Sequence, residues 1–186
     1  MQRELEKKPE WLKSNYNQEI INQMNTMMKS LSLNTVCMEA NCPNAGECFK
    51  KHTATFMIMG RQCTRNCRFC NVSKGAAEPL DPNEPENVAK AVKKLGMKYV
   101  VITCVTRDDL SDGGSAHFAE TVEVIRNKNP GTGIEILISD MGGADENLDR
   151  LISAKPDVIN HNIETVPSLY ETVRPQADYA RSLYVL

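Results

Sequence analysis

Six of the seven cysteines lie between Cys37 and Cys70, and Cys104 stands alone. With an odd count, such clustering points to metal ligands or catalytic groups rather than to disulfides. Cys63, Cys67 and Cys70 follow an x3/x2 spacing. Three thiolates on one short loop can hold three irons of a cubane cluster, which leaves the fourth iron open to an outside ligand. An open iron implies a bound reactant. Structural zinc would need a fourth Cys or His to close a tetrahedron and favours paired C-x2-C halves. His52 is the only nearby candidate, and it precedes the strand that leads into the triplet. Cys37, Cys42 and Cys48 form a second triplet in a stretch containing Pro43 and Gly46, expected to be a loop wrapped around an auxiliary cluster.

The elements that position these loops follow from periodicity. Short β-branched runs alternate with amphipathic stretches, the rhythm of βαβ units. Strands are expected at Thr53–Met59, Tyr99–Thr103, Ile134–Ser139 and Asp157–Asn162, all parallel, with helices at Glu86–Leu95, Ser115–Asn127 and Glu146–Ala154. Residues 75–85, with Pro79, Pro82 and Pro85, form a loop entering the first of these helices, where proline is tolerated in the opening turn. Parallel barrels place their chemistry at the C-terminal ends of the strands. Those ends here carry Arg61-Gln62-Cys63, then Cys104 through Asp109, then His161-Asn162-Ile163-Glu164. Upstream, Trp11, Ile20, Ile21, Met24, Met27, Met28, Leu31 and Leu33 recur at loosely helical spacing and are expected to pack in a core.

Composition narrows the function. Of 186 residues, 41% are hydrophobic and 25% charged, typical of a globular domain, and the net charge of −2 gives no broad field for nucleic acid or an anionic membrane. No run of 18 apolar residues occurs, and Arg3, Glu4, Glu6, Lys7 and Lys8 make the N-terminal stretch unlike a signal or transit peptide, so the chain is expected in the cytoplasm.

The Cys63-Thr64-Arg65-Asn66-Cys67-Arg68-Phe69-Cys70 segment closely resembles the cluster loop of radical S-adenosylmethionine enzymes. With Thr35-Val36-Cys37, Cys42-Pro43-Asn44 and Gly46-Glu47-Cys48-Phe49, it is similar to the lipoyl synthase family in particular. Arg107-Asp108-Asp109-Leu110, Asp112-Gly113-Gly114, His161-Asn162-Ile163-Glu164-Thr165 and Val173-Arg174-Pro175 continue the resemblance. It implies an α/β fold: a partial (β/α)6 TIM-like radical SAM barrel with about four β/α units, spanning residues 53–186, behind a cluster-binding extension at residues 1–52.

It further implies two [4Fe-4S] clusters, with S-adenosyl-L-methionine on the open iron of the first. The Cys63, Cys67, Cys70 cluster would pass an electron to the cofactor and generate a 5′-deoxyadenosyl radical. That radical would remove hydrogen atoms from C6 and C8 of an octanoyl chain carried on a lipoyl carrier domain or H protein. The Cys37, Cys42, Cys48 cluster would be consumed as the sulfur source. A ferredoxin or flavodoxin would supply electrons, and neither nucleic acid nor membrane is an expected partner. The competing readings are a sulfur-inserting enzyme of the biotin synthase kind, against which the Cys37 triplet argues, and an incomplete or inactive fragment.

The resemblance assigns cofactor contacts to Asp112, Gly113, Gly114, Asn162, Glu164 and Arg174. Each has a plainer alternative. Asp112-Gly113-Gly114 is also a common turn signal, Asn162 and Glu164 with His161 suit a structural hydrogen-bond network, and Arg174 suits a surface ion pair. His52 and His117 are expected to be structural. Cys104, where the family has serine, is expected to be a small buried hydrophobe. Family members continue past the equivalent of Leu186 to an Arg-Ser-Ser-Tyr motif whose serine binds the auxiliary cluster. Ser182, in Arg181-Ser182-Leu183-Tyr184, instead fits a mid-chain helix start and is not expected to be that ligand. The chain is thus expected to be truncated, with an unpaired edge at its last strand and incomplete lipoyl formation.

Overall fold

The computed structural model describes residues 9, 18–40, 42–51 and 53–186. Trp11 and His52 lie outside the described residues. In chain order the elements are α1 (Gln18–Ser30), β1 (Asn34–Thr35), α2 (Val36–Glu39), α3 (Ala45–Lys50), β2 (Thr55–Ile58), α4 (Glu84–Leu95), β3 (Tyr99–Cys104), α5 (Ser115–Lys128), β4 (Gly133–Ile138), α6 (Asp145–Ser153), β5 (Val158–His161), α7 (Tyr170–Val173) and α8 (Tyr179–Val185).

The β-branched runs become β2 to β5, a parallel sheet in sequential order, as alternation with helices requires. One face carries Phe56, Ile58, Val100, Ile102, Ile134 and Ile136, all essentially fully buried. They share a core with Val88 and Val92 of α4, Phe118, Val122 and Ile125 of α5, and Leu151 of α6. Each such side chain contributes roughly 1.5–3 kcal/mol by leaving water. The sequence places these elements to within about two residues. Helix α4 begins at Glu84 rather than Glu86 because Pro85 fits its first turn, and it ends on Gly96 in a left-handed conformation (φ 62°). The fold is α/β, a partial TIM-like barrel in which β2 to β5 form the wall.

Two features depart from expectation. Asn34–Thr35 adds a fifth strand, antiparallel to β2, with Asn34 opposite Met57 and Thr35 opposite Phe56. The Cys37–Cys48 stretch, expected as a loop, contains α2 and α3. Thr35 caps α2 by accepting a hydrogen bond from Met38 N at 3.3 Å. At the far side, β5 is the edge strand among the described residues, and Val158 and Ile159 are 38% and 39% exposed. The Tyr179 helix start expected from the sequence is present: Asp178 accepts from Arg181 N at 2.6 Å to cap α8, and Ser182 is buried within it.

Candidate active site

The second face of the sheet and the C-terminal ends of its strands enclose a cavity of about 290 Å³. Strand register builds its floor: Met57 lies opposite Thr103, and Thr103 opposite Leu137. Cys63, Cys67 and Cys70 line it from the β2 loop, Cys104 and Ser139 from the ends of β3 and β4, His161 from the end of β5, and Asn162, Glu164 and Arg174 from beyond it. Val36 and Ala40 of the α2 segment also reach it, which brings the Cys37 region to the same opening.

The three thiols are half-buried. Burial pushes the Cys67 thiol up, the Arg174 guanidinium beside it pulls it down, and Cys63 and Cys70 are close enough to raise it further by like charge. Cys37 shows the same pattern: burial raises its pKa against a backbone N–H from Thr55, and Cys42 and Cys48 add repulsion. Cys63, Cys67 and Cys70 thus share one space, the cavity that all three line. Among the described residues, no three Cys, His, Asp or Glu side chains converge tightly enough for a single metal ion. A cubane asks for less convergence, because each thiolate takes its own iron. Among the described residues, two buried nitrogens of residues that line the cavity, His161 Nε2 and Arg174 Nε, have no hydrogen-bond partner. Unpartnered buried polar atoms of this kind call for a bound polar group. The residues present fit a cluster with an open iron and a polar ligand beside it.

Arg174 is not the surface ion pair its type suggests. It is buried, donates from Nη1 to the carbonyls of Asn162 (2.9 Å) and Ile163 (3.1 Å) and to the Tyr170 hydroxyl (2.9 Å), and stacks 5.3 Å over the Tyr170 ring. Asn162 and Glu164 stand on the rim, where Asn162 Nδ2 donates to Glu164 Oε1 at 2.9 Å and Glu164 holds a left-handed φ of 68°. Non-glycine residues held there cost of order 1 kcal/mol and concentrate at functional sites. Asp112, Gly113 and Gly114 are not among the residues that line the cavity. Asp112 accepts from Gly114 N (3.0 Å), Ala116 N (2.9 Å) and Arg150 Nη1 (3.2 Å) at the start of α5. Burial works against its charge, but these donors leave its pKa below the usual carboxylate range. Gly113 and Gly114 take φ values of 60° and 89°, and a Cβ on Gly114 would lie 2.1 Å from Met59 Sδ. The turn is thus pressed against the residue from which the cluster loop departs.

Cys104 is half-buried, and burial pushes its thiol up to about 12, so it is a neutral wall of the cavity. His117 is structural as expected, its Nε2 lying 2.7 Å from Glu84 Oε2, which also accepts from Met59 N at 2.8 Å.

Sequence reasoning singled out neither Arg65 nor its partners. This buried guanidinium forks onto Asp108 with Nε and Nη2 (both 2.7 Å) and onto Asp140 with Nη1 (2.8 Å) and Nη2 (2.7 Å). Burial opposes its charge, but the two carboxylates more than offset that and raise its pKa. Partners 43 and 75 residues away leave no local pattern to find.

A partial barrel with three thiols gathered at its mouth, beside unpartnered buried nitrogens, is an arrangement suited to an iron-sulfur cluster enzyme. The chain belongs to the radical SAM superfamily, whose family model matches residues 57–186, and membership implies a four-iron cluster and S-adenosylmethionine. Its similarity is to lipoyl synthases: 57% identity over 180 residues to that of Caldanaerobacter subterraneus subsp. tengcongensis, covering 97% of this chain and 63% of that protein. It is 56% identical over 183 residues to the lipoyl synthase of Alkaliphilus metalliredigens, covering 98% of this chain and 63% of that protein. Identity to the lipoyl synthase of Bacillus cereus is 56% over 187 residues, 100% of this chain and 63% of that protein. The chain therefore spans just under two thirds of the length of these curated relatives. Among the described residues, no helix is long and apolar enough to cross a membrane.

Proposed function

We propose that this chain carries the chemistry of a lipoyl synthase, a sulfurtransferase that inserts sulfur at C6 and C8 of an octanoyl chain held on a lipoyl carrier domain or H protein. The observation that carries this reading is the cavity in which the Cys63, Cys67, Cys70 triplet meets the unpartnered nitrogens of His161 and Arg174. The relatives named above supply the substrate class. When bound, the cluster and S-adenosylmethionine supply the electron and the carbon-centred radical that an unactivated alkyl chain requires.

The residues of the chain bind and orient. Cys63, Cys67 and Cys70 each hold one iron of the first [4Fe-4S] cluster. Arg174 offers a cation to the methionine carboxylate, while Glu164, steadied by Asn162, offers a carboxylate to the ammonium group. Asp112, Gly113 and Gly114 serve the cofactor indirectly, by letting the α5 turn support Met59. Cys37, Cys42 and Cys48 hold a second [4Fe-4S] cluster that gives up its sulfur. Residues 1–52 act as the extension bearing that cluster and residues 53–186 as the barrel. A ferredoxin or flavodoxin in the cytoplasm supplies the electrons. A second reading, cluster and cofactor binding without turnover, draws support from the exposed apolar edge at β5.

Anaerobically reconstituted, reduced protein given S-adenosylmethionine and an octanoylated carrier domain tests both. Formation of 5′-deoxyadenosine with carrier mass rising by two sulfurs, less the hydrogens they replace, supports the first reading. Cleavage of the cofactor without lipoyl product supports the second, and no cleavage at all refutes both.

A further inference from the structure

The Cys63–Cys70 loop has no regular structure of its own, yet thiolates that share a cluster must be held close to productive geometry. Backbone bonds fix part of it: Thr64 N donates to Thr106 O at 3.1 Å and Arg68 N to Val173 O at 2.9 Å. Between Cys63 and Cys67, however, the chain turns one residue inward. Arg65 is 4% exposed, in a loop whose other members are half-buried or exposed. Its guanidinium closes two forks at once, onto Asp108 of the β3 loop and Asp140 of the β4 loop. Asp140, fully buried, also accepts from Gly142 N at 3.2 Å and lies 3.5 Å from Arg181 Nη1 of α8. The main-chain N–H of Arg65 points at Cys63 Sγ, 3.4 Å away.

We infer that Arg65 is a positioning residue for the first cluster: its forked pairs with Asp108 and Asp140 lock the β2, β3 and β4 loops together and aim the Arg65 N–H at the Cys63 sulfur. The inference rests on the cluster reading proposed above. A hydrogen bond to a ligating sulfur tunes a cluster's potential and retention, so a residue that fixes that N–H acts on the metal without touching it. Lysine cannot replace arginine in this place, because a single ammonium group cannot meet two carboxylates bidentately. Asp108 is 45% exposed on its side chain and Asp140 0%, so the two halves of the knot can be loosened separately.

The full chain, reconstituted with iron and sulfide, is the material for the test, and Arg65→Lys and Asp108→Asn are the variants. Far-ultraviolet circular dichroism establishes folding. Electron paramagnetic resonance of the reduced protein, with and without S-adenosylmethionine, reports the first cluster, and the rate of iron loss to a chelator reports its retention. For Arg65→Lys the expected result is a native circular dichroism spectrum, an altered cofactor-sensitive signal, and iron loss at least about tenfold faster, the scale for partners behind a metal ligand. Asp108→Asn should show a smaller change in the same direction. A folded Arg65→Lys protein with unchanged signal and iron loss overturns the inference. If Arg65→Lys does not fold, Asp108→Asn decides: faster iron loss supports the knot, and an unchanged rate overturns it. Failure of the parent chain to show any cofactor-sensitive signal would instead refute the cluster reading itself.

Discussion

The two cysteine triplets are held in opposite ways, although Val36 and Ala40 on either side of Cys37 reach the cavity that the other triplet lines. The Cys63–Cys70 loop is tied to distant parts of the chain: Thr64 to Thr106, Arg68 to Val173, Asn66 to Gln176, and Arg65 to Asp108 and Asp140. The Cys37–Cys48 segment is held mostly by itself, with Cys42 N bonded to Cys37 O, Ala45 N to Cys42 O and Cys48 N to Asn44 O. Among the described residues its long-range ties include the two-residue β1–β2 pairing just before it, the Thr55 backbone on Cys37, and a 3.2 Å ion pair between Arg61 and Glu39. Burial of Phe49 and Ala45 in the core fixes α3 from below. Local bonds order a segment without making it rigid. A site used at every turnover gains from rigid support, whereas a site that surrenders its sulfur has no need to be restored in place. On the proposed function, the difference in anchoring matches the difference in role.

The largest effect expected from breaking this contrast is on chemistry. Alanine at Cys63, Cys67 and Cys70 should abolish cleavage of S-adenosylmethionine, because the open iron goes with those thiolates, and lower bound iron from about eight to about four per chain. Alanine at Cys37, Cys42 and Cys48 should leave cleavage in place and remove the lipoyl product. Assays of 5′-deoxyadenosine, lipoyl carrier and iron on both variants give the answer. Lipoyl product from the second variant would show that its triplet is not the sulfur source.

The next effect tests the support behind the rigid loop. Gly114→Ala forces a side chain onto a backbone with φ of 89° and into Met59, which is buried and has little room to yield. The strain and overpacking should cost roughly 1–3 kcal/mol in denaturant unfolding. Iron retention at the Cys63 triplet should fall, since Met59 opens the cluster loop, and a loss of stability below about 0.5 kcal/mol would mean that the turn adapts freely.

How much of this was legible in the sequence follows from the range of the forces involved. Strands β2 to β5 were readable because parallel strands draw on β-branched-rich apolar runs, which Val100–Ile102 and Ile134–Ile138 supply with only Glu135 polar among them, and α4 to α6 because amphipathic stretches alternate with those runs. The Cys63 triplet was readable because its ligands are local. Strand β1 has two residues, too few for any period to show, and α2 and α3 are too short to announce a helical face. Arg65 and Arg174 carry the same charge and differ from surface arginines only in what the fold brings to them. Their partners, Asp140 in one case and the Tyr170 ring and β5-end carbonyls in the other, meet them only after the chain has folded.

The smallest effect expected is the sharpest probe of the weakly anchored triplet. Thr35 is fully buried, lies opposite Phe56 on β1, and caps α2 one turn before its end by accepting from Met38 N. Alanine there removes the acceptor and leaves the half-buried Met38 N–H without its cap, a loss of about 1 kcal/mol for the local unit. Because α2 spans only four residues and is joined to the sheet by two, that energy has nowhere to spread except the Cys37 segment. Amide exchange at residues 36–40 should quicken about fivefold, the factor equivalent to 1 kcal/mol, while the amides of Thr64 and Arg68 keep their rates. Thr35→Ser retains the hydroxyl and should restore most of the protection. Faster exchange at Thr64 and Arg68 as well would show that the two triplets share one cooperative unit, and the separation drawn between them would fall.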